Sequence, residues 1–470
     1  MVTVLILGGL ANDNARHLLP YLVSLPPAER PAFVRVVDKP LVIPAANAYT
    51  TYVDTACREA FKEGTQEGTV EYVQGNLLTE AMRTKAFTLP DKHGGGGGKS
   101  FDWVFDFTGE TSFEAPEAVH VERTLQLALL LGAAAVKHKV GAYVRGIPCF
   151  YRLRDDRKGG KVGDEGTVSE PWGTMASWHH EAARGLAKLE GLNLVLVRRA
   201  VMYGPFTVTG LTPRVLIGEV YKFEGEKLEF LWADSLAQST IHAADYAAAL
   251  VKSAIWAQSL GSRSAILAAH SEDLPSTLSS DAPISSLLSH SPPPAKKDDE
   301  VSAAVFCAVD DCETTQKEIA SIIQEVVGVK SGFHGSVISG FAKLNLGDVV
   351  EDANDKHLEG WSALLQASDP PISTTIPISP SVPADVLAPH PIAFSNAALK
   401  KHTGWAPKYR LNKEIVRETV EGFKREGNWP NAKPRSVSQL PHPVPDLVLT
   451  LLYRRATGRS ERSERSWVGG

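Results

Sequence analysis

Cysteine is scarce in this chain of 470 residues. The four thiols, Cys57, Cys149, Cys307 and Cys312, are too few to staple a fold of this length and show no CxxC or Cys/His spacing for a metal. No metal site is expected, and the expected compartment is a reducing one, the cytoplasm. The stretch FCAVDDC admits a redox-couple reading of Cys307 and Cys312, but a strand and its following turn account for it more simply. An excess of one charge is also missing. Forty-nine Lys and Arg against 54 Asp and Glu leave −5, which supplies no broad basic field for nucleic acid. Long hydrophobic runs are absent as well: LQLALLLGAAAV (125–136) and LVLTLLY (447–453) fall short of the roughly 20 residues a membrane span needs. The opening MVTVLILGGLA lacks a basic n-region and reads as a buried strand running into a glycine turn. With 43% apolar and 22% charged residues and no internal repeat, the chain reads as globular, with about two structural units.

From residue 1 to about 206, short β-branched runs alternate with helical stretches. The runs are VTVLIL, FVRVVD, VEYVQG, DWVFDF, VGAYVRG and NLVLVRR, the pattern of βα units on a parallel sheet. The fold class that follows is α/β, a Rossmann-type doubly wound parallel sheet with a smaller C-terminal α/β substrate domain. The expected layout puts the Rossmann domain at 1–206, with 301–330 returning to it, and the substrate domain at 207–262 and 331–430. Residues 263–300 are expected to be a disordered insertion, because thirteen of the thirty residues from Ser271 to Glu300 are Ser or Pro. Residues 431–470 read as a flexible basic tail. In TTQKEIASIIQEVVG, Thr314 or Thr315 can cap a helix whose apolar stripe includes Ile319, Ile322, Ile323 and Val326.

The first strand ends in Gly8-Gly9 and runs straight into a helix. That is where a dinucleotide fold lets backbone approach a pyrophosphate at a helix N-terminus. The later glycines of the fingerprint are replaced within Leu10 to Ala15, and Asp13 adds negative charge near the phosphate position. Asp38, ending the second strand, is placed to accept hydrogen bonds from a ribose diol, against the plain alternative of a loop acid capping DKP.

Several stretches in order resemble the NAD-dependent epimerase/dehydratase group of the extended short-chain dehydrogenase/reductases: VEYVQGNLLT, DWVFDFTGET, LVLVRRAVMYGP, STIHAADYAAALV and KKHTGWAPKYRL. The resemblance implies NAD, with NADP disfavoured by Asp38, held by Gly8, Gly9, Asn12, Asp38, Asn76, Thr108 and Gly109. It also implies a nucleotide sugar or similar hydroxyl or carbonyl substrate, hydride transfer, and a homodimer through the helices at about 114–138 and 174–190, where Leu125, Leu129 and Leu130 offer apolar area.

The departures concern catalysis. The family's Tyr-x-x-x-Lys helix reads TMASWHHEAARGL here, with Thr174 and Trp178 in the best register and Met175/His179 or Ala176/His180 in the shifted ones. The hydroxyl expected after the fifth strand falls on Val144, Arg145 and Gly146, and the one Tyr-x-x-x-Lys in the chain, Tyr409 to Lys413, lies far along it. Tyr151, His179 and His180 are the candidate substitutes for the acid/base group. The competing reading is a non-catalytic dinucleotide-binding or interaction protein that keeps the fold.

Overall fold

A continuous β-branched run has no polar side to show to water, so it ends up in a sheet covered on both faces. In the computed structural model, which describes residues 2–280, 291–372 and 377–435, these runs form one eight-stranded sheet. Its strands are β1 (Thr3–Leu7), β2 (Phe33–Asp38), β3 (Val70–Gln74), β4 (Trp103–Asp106), β5 (Ala142–Ile147), β6 (Leu194–Arg199), β7 (Glu272–Asp273) and β8 (Ser302–Ala308). The order is β7-β8-β6-β5-β4-β1-β2-β3, parallel except for β7. Strand order therefore reverses between β1 and β4, where Leu7 lies opposite both Val37 and Asp106. A crevice at the carboxyl ends of these strands is where an open α/β sheet takes its ligand.

Helix α1 (Asp13–Ser24) follows β1, α2 (Glu117–Lys137) follows β4 and α3 (Thr174–Ala187) precedes β6. A second hydrophobic core gathers α4 (Thr212–Phe223), α6 (Gln316–Val327), α7 (Leu346–Ala367) and α8 (Lys413–Arg425), while α5 (Ala243–Leu260) packs on the sheet. The 301–330 segment is split between the two cores. Its strand β8 pairs with β6, but Thr315 caps α6, and Ile319, Ile323 and Val327 pack in the second core, Ile323 close against Gly218.

The insertion corrects the expectation of disorder. Apart from 281–290, which lie outside the described residues together with the tail at 436–470, the stretch is built onto α3. Arg184 donates to the carbonyls of Leu274, Lys296 and Asp299 at 2.9–3.0 Å. Glu181, paired with Arg184 at 2.7 Å, accepts from the Thr277 amide at 2.7 Å, from its hydroxyl at 2.8 Å and from Ser276 at 3.2 Å. Ser and Thr, poor at forming a core, are good partners for a buried carboxylate, and composition could not show that one was waiting.

The same packing removes the basis of the expected homodimer. Leu125 and Leu129 on α2 are fully buried against α3, Leu129 close to Gly185, and residues 274–277 and 296–299 cover α3 at His180, Glu181 and Arg184. Among the described residues α2 is the one helix long and apolar enough to cross a membrane, and most of it is packed in this core. Light scattering at micromolar concentration is expected to return the mass of one chain; a stable dimer would show that another surface does the pairing.

Candidate functional site

The glycine turn is built as a backbone cradle. Gly8 and Gly9 sit at φ +69° and +87°, and a Cβ on Gly9 would fall 2.8 Å from the Cβ of Phe107, so only glycine fits there. Asp38 braces the turn, accepting from the Leu10 amide at 2.9 Å and the Lys39 amide at 2.7 Å, and burial raises its pKa. Asn12 caps α1 through the Asn14 amide at 3.0 Å.

Asp13 does not oppose a phosphate as the sequence suggested. It is fully buried, and its two oxygens accept from Arg16 at 2.7 Å, from the Val208 amide at 2.7 Å, and from the amide of Thr209 at 2.9 Å as well as its hydroxyl. Burial alone would raise its pKa, but Arg16, His17 and Arg199 hold it below the ordinary carboxylate value. The charge is spent inside the protein.

At the end of β4, Thr108 donates to Asp106 through its amide at 2.9 Å and its hydroxyl at 2.7 Å. Asp106 is in turn held by Arg145 and Tyr143. Gly109, at φ +134°, leaves room for the His179 ring, whose Cε1 lies 2.5 Å from where a Cβ would stand. Asn76 is exposed and closes an Asx turn on the Leu78 amide.

Beside the turn lies a cavity of about 390 Å³, walled by Asn12 and Asn14 of α1, the ends of β5 and β6, the 208–210 loop and the Pro-rich stretch 377–392. Four of its lining residues carry a buried polar atom without a partner: Asn14 Oδ1, His179 Nδ1, Arg199 Nη1 and Tyr246 Oη. Each such atom costs on the order of 1–3 kcal/mol unless a water or a ligand satisfies it. Four such residues in one lining make this cavity the candidate site.

The Tyr246 hydroxyl stands 2.6 Å from where a Cβ on Gly146 would be. A hydroxyl therefore occupies the place next to β5 where the sequence offered none, supplied by α5 a hundred residues downstream. Sequence reasoning missed it, together with Arg199 and Arg214, which also line the cavity. The one available signal was glycine itself at Gly146, a gap that some other side chain had to fill.

The three acid/base candidates separate. His179 lines the cavity along with Met175, so the helix turns its Met175/His179 register to the site and not Thr174/Trp178. Its Nε2 bonds to the Glu110 carbonyl at 3.0 Å, which makes Nε2 the protonated nitrogen and Nδ1 the free acceptor. Tyr151 and His180 are corrections. Both are fully buried behind the cavity, bonded to each other at 3.3 Å, with Arg198 over the Tyr151 ring and His180 bonded to the Pro275 carbonyl at 2.8 Å. Neither lines the cavity, and their polar atoms are used for packing.

A second cavity of about 350 Å³ lies in the C-terminal core, lined by Tyr221, Phe230, Trp232, Lys227 and Lys356, and shares Arg214, Val382 and Val386 with the first. Two cavities joined at a guanidinium suit a ligand with an aromatic end, an anionic middle and a reacting end.

No family model matches the chain, and no curated protein is significantly similar to it. Solved structures are. A UDP-glucose 4-epimerase from Thermotoga maritima, with UDP-glucose, superposes at a TM-score of 0.52 with 14% identity, covering 90% of this chain and 99% of that one. A UDP-glucuronic acid 4-epimerase from Bacillus cereus, with NAD and UDP-glucuronic acid, gives 0.52 at 11% identity over 90% and 100%. A dTDP-glucose 4,6-dehydratase from Streptomyces venezuelae, with NAD, gives 0.52 at 14% over 91% and 99%. The chain has the fold of nucleotide-sugar epimerases and dehydratases. On that fold the helix expected to carry Tyr-x-x-x-Lys presents Met175 and His179 to the cavity, and the cavity's phenol comes from α5 instead.

Burial also sets the acid response. It is the largest cause of the depressed pKa values of His179, to about 3, and of His180, His242 and His357, to about 4. With folded values below the unfolded one of about 6.5, each group contributes stability that is full above that pH and is lost as pH falls, at up to about 1.4 kcal/mol per pH unit. Urea midpoints should drop steeply below about pH 6.5; a midpoint unchanged between about pH 7 and pH 5 would contradict the buried neutral state.

Proposed function

We propose that this chain is an NAD-dependent oxidoreductase of the epimerase/dehydratase family, acting on a nucleotide sugar by hydride transfer, with Tyr246 handling the substrate proton. The observation that carries the reading is the set of four residues with unpartnered polar atoms lining a cavity that Ala11, Asn12 and Asn14, just after the glycine turn, help to wall. The fold is shared with proteins solved with NAD and with nucleotide sugars, which supports the choice of cofactor and substrate.

NAD would be held by Gly8, Gly9 and Asn12 at its phosphates and by Asp38 at the adenosine ribose, near Asn76, with Thr108 and Gly109 along its path. Bound there, it would supply the hydride acceptor. A carboxylate at Asp38 repels a 2′-phosphate, so NADP is disfavoured. The nucleotide end fits the aromatic second cavity, with Arg214 at the diphosphate. In the reacting cavity, burial pushes the Tyr246 phenol pKa up while Arg199 pulls it down, and the phenol keeps its proton at neutral pH. With a hydride delivered from NADH, it would donate its proton to the substrate carbonyl oxygen as that oxygen gains charge; the phenolate so formed would take the proton back when the alcohol returns its hydride to NAD. His179, neutral and with Nδ1 free, accepts from a ribose or substrate hydroxyl.

The test is nicotinamide absorbance during turnover of UDP- and dTDP-sugars by wild type and Tyr246→Phe. Loss of a general acid is expected to cut kcat by about 10²–10⁴-fold with KM little changed. Because the Tyr246 hydroxyl has no protein partner, the variant should melt no lower than wild type. Wild-type turnover unaffected by Tyr246→Phe would remove the assignment, and no turnover of any nucleotide sugar would favour the non-catalytic reading.

A further inference from the structure

Four arginines in this fold are fully buried, and each faces a carboxylate: Arg16 with Asp13 and Asp54, Arg145 with Asp106, Arg184 with Glu181, and Arg198 with Glu272 at 2.7 Å. Arg199, which is only partly buried, differs. It follows Arg198 at the end of β6, so its side chain leaves the opposite side of the strand, and it lines the reacting cavity. It forms no ion pair among the described residues, and its Nη1 is buried without a partner. Asp13 lies within its electrostatic reach, but both oxygens of Asp13 are taken by Arg16, Val208 and Thr209.

The cavity offers no acid of its own. Its lining holds Arg199 and Arg214 and neither Asp nor Glu. A guanidinium cannot shed its charge, so one held against apolar walls such as Ile147, Val201 and Met202 calls for an anion from outside the chain. Arg214 stands where the two cavities meet and donates to Gln238 at 3.0 Å; both arginines act on Cys149, and Arg199 acts on Tyr246 as well. The anion Arg199 takes therefore lies beside Tyr246, close to the reacting atoms.

We infer that the sugar this protein acts on is acidic, carrying a carboxylate that Arg199 grips beside Tyr246. A single guanidinium with a planar donor fork among apolar neighbours matches a planar monoanion, whereas a phosphate dianion calls for more donors. The inference rests on the proposed nucleotide-sugar reading and narrows it to sugar acids.

Calorimetric titrations of the full chain in the presence of NAD, with UDP-glucuronic acid, UDP-glucose and UDP, test it. A charged hydrogen bond is worth about 1.5–3 kcal/mol, so the acid should bind roughly 10- to 100-fold more tightly than UDP-glucose. Arg199→Leu should erase that ratio while leaving UDP affinity unchanged, and Arg199→Lys should restore part of it. Equal wild-type affinity for the two sugars would overturn the acidic substrate and leave the proposed function standing. Failure of all three to bind, UDP included, would overturn both. If Arg199→Leu does not fold, the wild-type ratio alone decides.

Discussion

Everything at this site depends on one buried ion pair. Asp13 opens α1 and Arg16 lies one turn on. Together they reach Asp54, the Phe206 carbonyl and the amides of Val208 and Thr209, so one charge network fastens the glycine turn's helix to the loop that leaves the sheet for the second core. Val208 and Thr209 are walls of the reacting cavity, so the network that neutralises Asp13 also sets the cavity's width. A buried pair of this kind contributes little net stability compared with apolar packing, but removing one partner costs about 3–5 kcal/mol, because the survivor is left charged and dry. Its role is to fix a geometry.

That constraint reorganises the chemistry around it. With α1 and the 206–209 loop held together, the cavity floor is formed by β5 and β6 and by the N-terminal turn of α5. Gly146 leaves a gap in this floor and Tyr246 fills it. The phenol thus approaches from the α1 side of the sheet, whereas α3 lies on the other side and presents Met175 and His179. A phenol and an imidazole acceptor both line the cavity, the imidazole from the helix that would carry Tyr-x-x-x-Lys and the phenol from α5.

The architecture was largely legible in the sequence because burial on two faces demands unbroken apolar runs, and those runs became β1 to β6. A cap at Thr314 or Thr315 was legible from the hydroxyls before the apolar stripe, and the structure uses Thr315, closed by Glu318. The glycine turn was legible from Gly8 and Gly9 at the end of the first apolar run. What escaped were contacts between distant segments. Gly146 and Tyr246 are joined only by the packing of α5 on β5, and Glu181 with Arg184 organises Ser276 and Thr277 across ninety residues of chain. Asp13 looked hostile to phosphate because nothing local reveals that the Val208 and Thr209 amides and the Thr209 hydroxyl join Arg16 in claiming it. The choice between Thr174/Trp178 and Met175/His179 turned on one residue of helix register, which an apolar helix buried on nearly every side does not declare.

The central claim is that this turn, with two glycines in place of a full fingerprint, holds NAD. Calorimetric titration of the full chain with NAD and with NADP addresses it directly. The account predicts saturable one-site binding of NAD and clearly weaker binding of NADP, because the Asp38 carboxylate opposes a 2′-phosphate. No binding of either dinucleotide, or NADP binding as tightly as NAD, would contradict it.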